Sequence, residues 1–342
     1  RKELFLDWSE SYIPHIDNAT WADAIMVVPA TANIIAKIAC GIADDLVTTT
    51  ILAAGDIPVL IAPAMNTRMY NNPIYRKNIE YLEDVGFHTA APEAGPLACG
   101  ETGKGRLANI ETIINSIEGL FVDRDYEGLR FLITAGGTRG PIDPVRFISN
   151  RSSGKTGYAL AQAASRRGGQ VLLISTPSCL TPPAGVETIQ VETAGEMLKA
   201  CEKYFSESDI IIKTAAVADF EPVHVEEQKI KKEDGQYNIS LKKTKDILKT
   251  LSNMRTHQFL VGFCAETENL EKNALKKLST KKLDMIVAND VSKGIFGSDS
   301  TSIIILDPSG GRKKFENISK TAAANNILDS IKVSMNGIPI RR

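Results

Sequence analysis

The chain has 342 residues, with 40 Lys and Arg against 41 Asp and Glu and 43% hydrophobic residues. That length exceeds one ordinary domain and supports two, each with its own core, while near-neutral, interspersed charge offers no basic face for nucleic acid or an anionic membrane. No apolar stretch reaches the roughly 18–20 residues of a membrane helix and no cleavable leader pattern appears, so a cytoplasmic protein acting on small molecules is expected.

In chain order, the apolar run 24–28 before Pro29 reads as a buried strand, 31–40 carries helical spacing and stops at Gly41, and 58–61 reads as a second buried strand. Asn72 before Pro73 predicts a capped helix closing at Gly86, ahead of a short strand at 87–89. The polar stretch 121–128 suits a boundary, which places a first domain at 1–122 and a second at 129–342. A strand at 130–135 then runs into Gly136-Gly137-Thr138-Arg139-Gly140, and an alanine-rich helix follows from about Gly154 to Gly168-Gly169. Further strands are predicted at 171–175, 187–191, 209–214, 259–264, 283–287 and 302–306, with Thr193 and Glu196 forming a capping box between two of them. This alternation predicts a mostly parallel sheet covered by helices, with ligands at the carboxyl ends of the strands.

Several residues stand out chemically. Cys99 lies in Gly95-Pro96-Leu97-Ala98-Cys99-Gly100-Glu101, ahead of Lys104-Gly105-Arg106, the setting of an exposed loop thiol near positive charge and hence of a proton donor or nucleophile. The five cysteines, Cys40, Cys99, Cys179, Cys201 and Cys264, form no C-x-x-C pair and stand far from the four histidines, so reduced thiols are expected rather than a zinc site or a disulfide framework. The glycine-rich loop after 130–135 leads towards a helix and can present N–H groups to an anion, although the glycines suit a plain turn equally. Thr138 breaks the dinucleotide fingerprint, and Ser149 replaces the first glycine of a Walker A loop in 149–156. The segment 213–220 ends a strand on small residues and Asp219, a carboxylate suited to a metal or sugar hydroxyl, or to capping a turn. Lys229-Ile230-Lys231-Lys232, Lys242-Lys243-Thr244-Lys245-Asp246, and Lys276, Lys277, Lys281 and Lys282 follow in turn. Each run alone suits a solvated face; several after strand ends suit a triphosphate carrying a divalent ion.

With these residues in place the sequence resembles, over nearly its whole length, the bifunctional phosphopantothenoylcysteine decarboxylase and phosphopantothenate-cysteine ligase family of coenzyme A biosynthesis. His15 within Pro14-His15-Ile16-Asp17, Trp21-Ala22-Asp23, the PATAN run 29–33, the PAMN run 63–66 and Ala98-Cys99-Gly100 follow the decarboxylase motifs in order. Residues 133–139, Ile148-Ser149-Asn150, Ala215-Ala216-Val217-Ala218-Asp219, 229–232 and Ala288-Asn289-Asp290 follow those of the ligase.

The resemblance implies a Rossmann-like, flavodoxin-type FMN-binding decarboxylase domain followed by a Rossmann-like α/β ligase domain. In the first, flavin would oxidise the substrate's cysteinyl thiol to a thioaldehyde that accepts the electrons left by departing carbon dioxide. His15 matches the catalytic histidine, Asn66 the residue that binds the substrate carboxylate, and Cys99 the acid that protonates the enethiolate, while Thr31, Asn33 and Met65 match FMN contacts. In the second, the carboxylate of 4′-phosphopantothenate would attack the α-phosphate of CTP, and the amine of cysteine would displace the nucleotide. Asn150 matches the residue that holds the acyl-nucleotide, and Lys229 matches the lysine of the amine-attack step and a nucleotide contact. Asp219, Lys245, Asp246, Ile247, Leu248, Phe263, Lys277 and Lys281 match further CTP contacts, although Phe263 suits a buried strand equally and Glu266 a plain surface.

Mg2+ is expected with the nucleotide, with no metal ligand assigned, and fusion of the two domains favours CTP over ATP. Self-association is implied as well, through trimers of the flavin domain and dimers of the ligase domain. Members of the family cradle the FMN phosphate on an initial strand and glycine-containing turn, whereas 1–17 has no glycine-rich turn. The expectation is an absent start, retained ligase activity and poor FMN binding. Two other readings set the comparison: an electron carrier joined to a nucleotide sensor requires neither Cys99 nor Lys229, and a nicotinamide-dependent reductase meets the broken dinucleotide fingerprint.

Overall fold

Alternating apolar strands and amphipathic helices build two α/β layers in the computed structural model, which describes residues 13–96, 102–231, 238–266, 268–290 and 298–335. The chain divides into two units, Arg1–Val122 and Asp123–Arg342.

The first unit runs α1 (Pro14–Trp21), β1 (Ile25–Ala30), α2 (Ala32–Ala39), α3 (Leu46–Leu52), β2 (Val59–Pro63), α4 (Thr67–Tyr70), α5 (Pro73–Asp84), β3 (His88–Thr89), β4 (Glu93–Pro96), β5 (Thr102–Arg106) and α6 (Ile110–Gly119). Strands β1, β2 and β3 form a parallel sheet in that order. Every residue of β2 is buried, as a central parallel strand covered on both faces requires. Its alternation splits the core: Ile61 packs with Ile35 and Leu82, whereas Leu60 and Ala62 pack with Ile113. Helix starts follow side-chain caps, with Asn72 accepting from Ile74 N ahead of Pro73 and Asp45 closing a capping box with Thr48. Strands β4 and β5 pair as an antiparallel hairpin that the strand-helix rhythm does not predict.

The second unit runs β6 (Arg130–Ala135), β7 (Arg139–Pro141), β8 (Phe147–Ser149), α7 (Lys155–Arg166), β9 (Gln170–Ser175), β10 (Glu187–Gln190), α8 (Ala194–Phe205), β11 (Ile210–Lys213), β12 (Phe220–Pro222), β13 (Leu241–Lys243), α9 (Ile247–Met254), β14 (Phe259–Glu266), α10 (Leu270–Thr280), β15 (Met285–Asp290), β16 (Ser300–Leu306), β17 (Arg312–Ser319) and α11 (Lys320–Met335). Its sheet has eight strands in the order β10-β9-β6-β11-β14-β15-β16-β17. Pairing is parallel from β10 to β15. Phe131 and Ile133 of β6 pack on one face with α7 and α11, whereas Leu132 packs on the other with residues of α8, α9 and α10. Full burial of each such Leu, Ile or Phe contributes about 1.5–3 kcal/mol.

The mostly parallel sheet that the alternation predicts is present, and it ends in antiparallel pairing. Strands β16 and β17 are antiparallel, joined by a turn in which Asp307 Oδ1 accepts from Ser309 N at 2.8 Å and Gly311 N at 3.0 Å. Strand β17 is largely exposed and charged, the composition that guards a sheet edge and hides the strand from an apolar-run reading. The glycine-rich loop after β6 is likewise not a direct lead into α7, because the β7-β8 hairpin is inserted between them.

Candidate functional site

A cavity of about 780 Å3 opens in the second unit, within the roughly 300–1,000 Å3 of ligand clefts. Gly136 after β6, Lys213 at the end of β11, Phe263 and Cys264 in β14, and Asn289 in β15 all line it. These are the carboxyl ends of parallel strands, where an open α/β sheet leaves a crevice.

Local chemistry closes its walls. Gly136 has φ 87°, and a Cβ there would stand 2.0 Å from Thr176 Oγ1, so only glycine makes this turn. The buried Thr138 accepts from Ala218 N through Oγ1 at 2.9 Å and donates its own N–H to Ala216 O at 3.3 Å. Asn150 Nδ2 donates to Ala216 O and Val217 O at 3.3 and 3.2 Å, which leaves Oδ1 as the atom this side chain presents. Thr244 joins the same segment from the opposite side: its Oγ1 donates to Ala218 O at 2.6 Å and its N–H to Asp219 O at 3.0 Å. That bond sets Lys245, Asp246, Ile247 and Leu248 beside Asp219. Asp246 caps α9, accepting from Lys249 N at 3.0 Å, and also pairs with Lys281. Lys277 Nζ donates to Phe263 O at 2.7 Å.

The cavity therefore gathers Asn150, Asp219, Lys245, Asp246, Ile247, Leu248, Phe263, Lys277 and Lys281. Lys243, Lys155, Lys213 and Lys320 join them in its lining, so among the described residues seven lysines face two aspartates. Burial holds Lys281 below its ordinary value against the pull of Asp219. Burial and then Lys155 do the same to Lys320. No role for Lys155, Lys213 or Lys320 follows from the sequence, because each is isolated from the lysine runs; only the fold draws them together. Lys276 and Lys282 are exposed and do not line the cavity.

Lys229 is exposed and also lies outside the cavity lining. The residue after it is gripped from both sides: Ile230 N donates to Asp143 Oδ2 at 3.2 Å, and Arg146 Nη2 donates to Ile230 O at 2.7 Å. Asp143 is buried between β7 and β8, where its Oδ1 accepts from Val145 N and Arg146 N, each at 2.8 Å.

In the first unit, Ala64 N donates to Ala30 O at 2.9 Å, joining the carboxyl ends of β1 and β2. Thr31 caps α2, accepting from Ile34 N at 3.4 Å, and Asn33 is exposed in the first turn. Met65 N donates to Gly105 O at 2.9 Å, and Asn66 caps α4 by accepting from Arg68 N at 2.8 Å. A Cβ on Gly105, at φ 137°, would stand 2.2 Å from Met65 O, so β5 lies directly on the Met65 segment. Thr31, Asn33, Met65 and Asn66 thus share one sheet edge. His15 is half-buried in α1, which packs on α3. Its Nδ1, with Asp17 Oδ2 and Thr67 Oγ1, is buried without a hydrogen-bond partner among the described residues. Buried polar atoms in that state suit a bound polar group. Cys99 lies outside the described residues.

Among the described residues no group of three His, Cys, Asp or Glu side chains could hold a metal, and no helix is long and apolar enough to cross a membrane. Residues 2–122 match the family described as Flavoprotein, and residues 126–335 match the DNA/pantothenate metabolism flavoprotein C-terminal domain. The coenzyme A biosynthesis bifunctional protein CoaBC of Bacillus subtilis is 48% identical over 335 residues, covering 96% of this chain and 82% of that protein. The protein of the same name from Haemophilus influenzae is 42% identical over 326 residues, covering 94% and 81%. A crystal structure of the C-terminal domain of a CoaBC protein superposes with a TM-score of 0.55 at 41% identity, covering 63% of this chain and all of that one. With relatives at this identity aligned along most of both chains, and a flavoprotein domain ahead of a pantothenate-metabolism domain, the chain belongs to the bifunctional CoaBC family of coenzyme A biosynthesis.

Proposed function

We propose that the second unit joins 4′-phosphopantothenate to cysteine at the expense of CTP, through an acyl-cytidylate, and that the first unit decarboxylates the product to 4′-phosphopantetheine with FMN. The observation that carries this reading is the cavity whose seven lysines face two aspartates at the carboxyl ends of the sheet. A carboxylate is a poor acyl donor to an amine until its oxygen is made a leaving group. Its oxygen attacks the α-phosphorus, pyrophosphate departs, and the cysteine amine then attacks the acyl carbon and releases CMP.

Lys245, Lys277 and Lys281 supply fixed positive charge where the phosphates gain negative charge. In this reading Asp219 takes a ribose hydroxyl, Phe263 with Ile247 and Leu248 takes the base, and Asn150 Oδ1 takes the acyl-nucleotide. Lys229, carried on the strap whose Ile230 is gripped by Asp143 and Arg146, acts at the amine-attack step. Mg2+ enters with the polyphosphate, as that ion commonly does in nucleotide sites.

In the first unit, Thr31, Asn33 and Met65 would hold FMN, and the unpaired His15 Nδ1 and Thr67 Oγ1 fit a polar ligand. Bound there, FMN supplies reversible two-electron chemistry. Asn66 orients the substrate carboxylate, His15 handles a proton at its ring nitrogen, and Cys99 donates one to the product. Self-association in the cytoplasm belongs to the same reading, and Trp21, Ile74 and Ile110 are exposed apolar side chains that a partner subunit would cover.

Incubation with 4′-phosphopantothenate, cysteine, Mg2+ and either CTP or ATP, followed by product masses, tests the ligase. The expected outcome is 4′-phosphopantothenoylcysteine with CMP and pyrophosphate, and little product with ATP. Folded protein that forms no amide with either nucleotide would refute it.

A further inference from the structure

A cation taken out of water is stable beside an anion and costly without one. Lys213 ends β11, the strand held between β6 and β14. Strand alternation puts it on the face of Ile211, which packs with α8, α9 and α10, whereas Ile210 and Ile212 face α7 and α11. Half-buried there, its Nζ donates to Ala215 O at 3.2 Å, and no carboxylate pairs with it among the described residues.

The groups around it deepen that deficit. Burial first, and Lys277 of α10 second, push the Lys213 ammonium down to about 8; Lys281, just beyond α10, adds to this, and Cys201 of α8 and Asp219 oppose it. Burial pushes the Cys201 thiol up to about 12, so it brings no negative charge near neutrality. Among the described residues Lys277 is bonded only to a carbonyl, and Lys281 pairs with Asp246. Among the described residues, positive charge converges on the cavity wall without enough negative charge to meet it.

We propose that Lys213 is a polyphosphate-binding residue, the third cation of a cradle with Lys277 and Lys281 that grips the phosphate chain of a nucleoside triphosphate. This extends the nucleotide reading above by one residue and rests on it. Two consequences separate such a role from a structural one. In the empty protein a charged Lys213 is a burden, so a neutral side chain of similar length stabilises the fold. When a polyanion enters, the ammonium form is favoured, so binding near pH 8 takes up protons.

Titration calorimetry of the full chain at pH 8, with Mg·CTP and separately with inorganic tripolyphosphate, in buffers of different ionisation heat, tests this. The parent should take up a measurable fraction of a proton per polyphosphate bound. Lys213→Met should bind both probes about 10- to 100-fold more weakly, with a ligand-free Tm at or above that of the parent. Lys213→Arg, charged at every accessible pH, should keep the affinity and lose the proton uptake, which decides the matter even if the Met variant fails to fold. Parent-like affinity in Lys213→Met, or parent-like proton uptake in Lys213→Arg, would overturn the proposal. A parent that binds tripolyphosphate but not CTP supports the cradle and refutes the choice of nucleotide; one that binds neither refutes the cradle.

Discussion

Asp143, a residue only 3% exposed, holds the strap that carries Lys229 with its carboxylate. Burial raises that carboxyl, but N–H bonds from Val145, Arg146 and Ile230, with the charge of Arg146, outweigh it and leave the group below its ordinary value. A lowered carboxyl contributes stability that is present above the ordinary 3.8 and is lost as pH falls through the folded value. Acid titration of Asp143→Asn, followed by circular dichroism, should therefore show less stability lost below about pH 4 than in the parent. If Lys229 serves amine attack, Lys229→Gln should leave pyrophosphate release intact and slow amide formation by at least about 100-fold. Acyl-nucleotide would accumulate in quenched reactions, and Asp143→Asn should show the same split more weakly. Equal loss of both steps in Lys229→Gln would assign the lysine to nucleotide binding instead. Lys229 is conspicuous in sequence because it opens a lysine run. Asp143 is not, since its partner Ile230 lies 87 residues away.

At the scale of elements, the strands that face helices on both sides declare themselves as apolar runs. Strand β6 occupies the predicted residues, and the Thr193 capping box forms, with Glu196 N donating to Thr193 Oγ1 at 3.1 Å. Elements stabilised by one face or by an edge position do not: β17 is charged, and β7-β8, β12-β13 and β4-β5 are antiparallel pairs of only three to five residues a strand. These short pairs matter for function, because β7-β8 carries the Asp143 grip and Asn150 follows β8 directly. The turn that feeds it tolerates only glycine at 136. Gly136→Ala should cost about 1–3 kcal/mol in urea unfolding and weaken nucleotide binding, since the added Cβ would push Thr176 and the cavity wall apart. Unchanged stability would mean the loop relaxes without strain.

Each unit has its own pair of core clusters, Ile35, Ile61 and Leu82 with Leu60 and Ile113 in the first, and the two faces of the eight-stranded sheet in the second. A unit with its own core folds alone. Residues 123–342 expressed by themselves should therefore form 4′-phosphopantothenoylcysteine without flavin at a rate within several-fold of the full chain, read by product mass. That two such units exist is legible from length and from the polar stretch at 121–128. The chemistry of the cavity is legible only in part, because Lys155, Lys213 and Lys320 meet through folding rather than through spacing. The most direct measurement is the fate of a carboxylate oxygen: 4′-phosphopantothenate labelled with 18O is turned over with cysteine and Mg·CTP, and the phosphate products are weighed. One labelled oxygen in CMP, with pyrophosphate unlabelled, is predicted from attack at the α-phosphorus; label in inorganic phosphate, or in no phosphate at all, would contradict it.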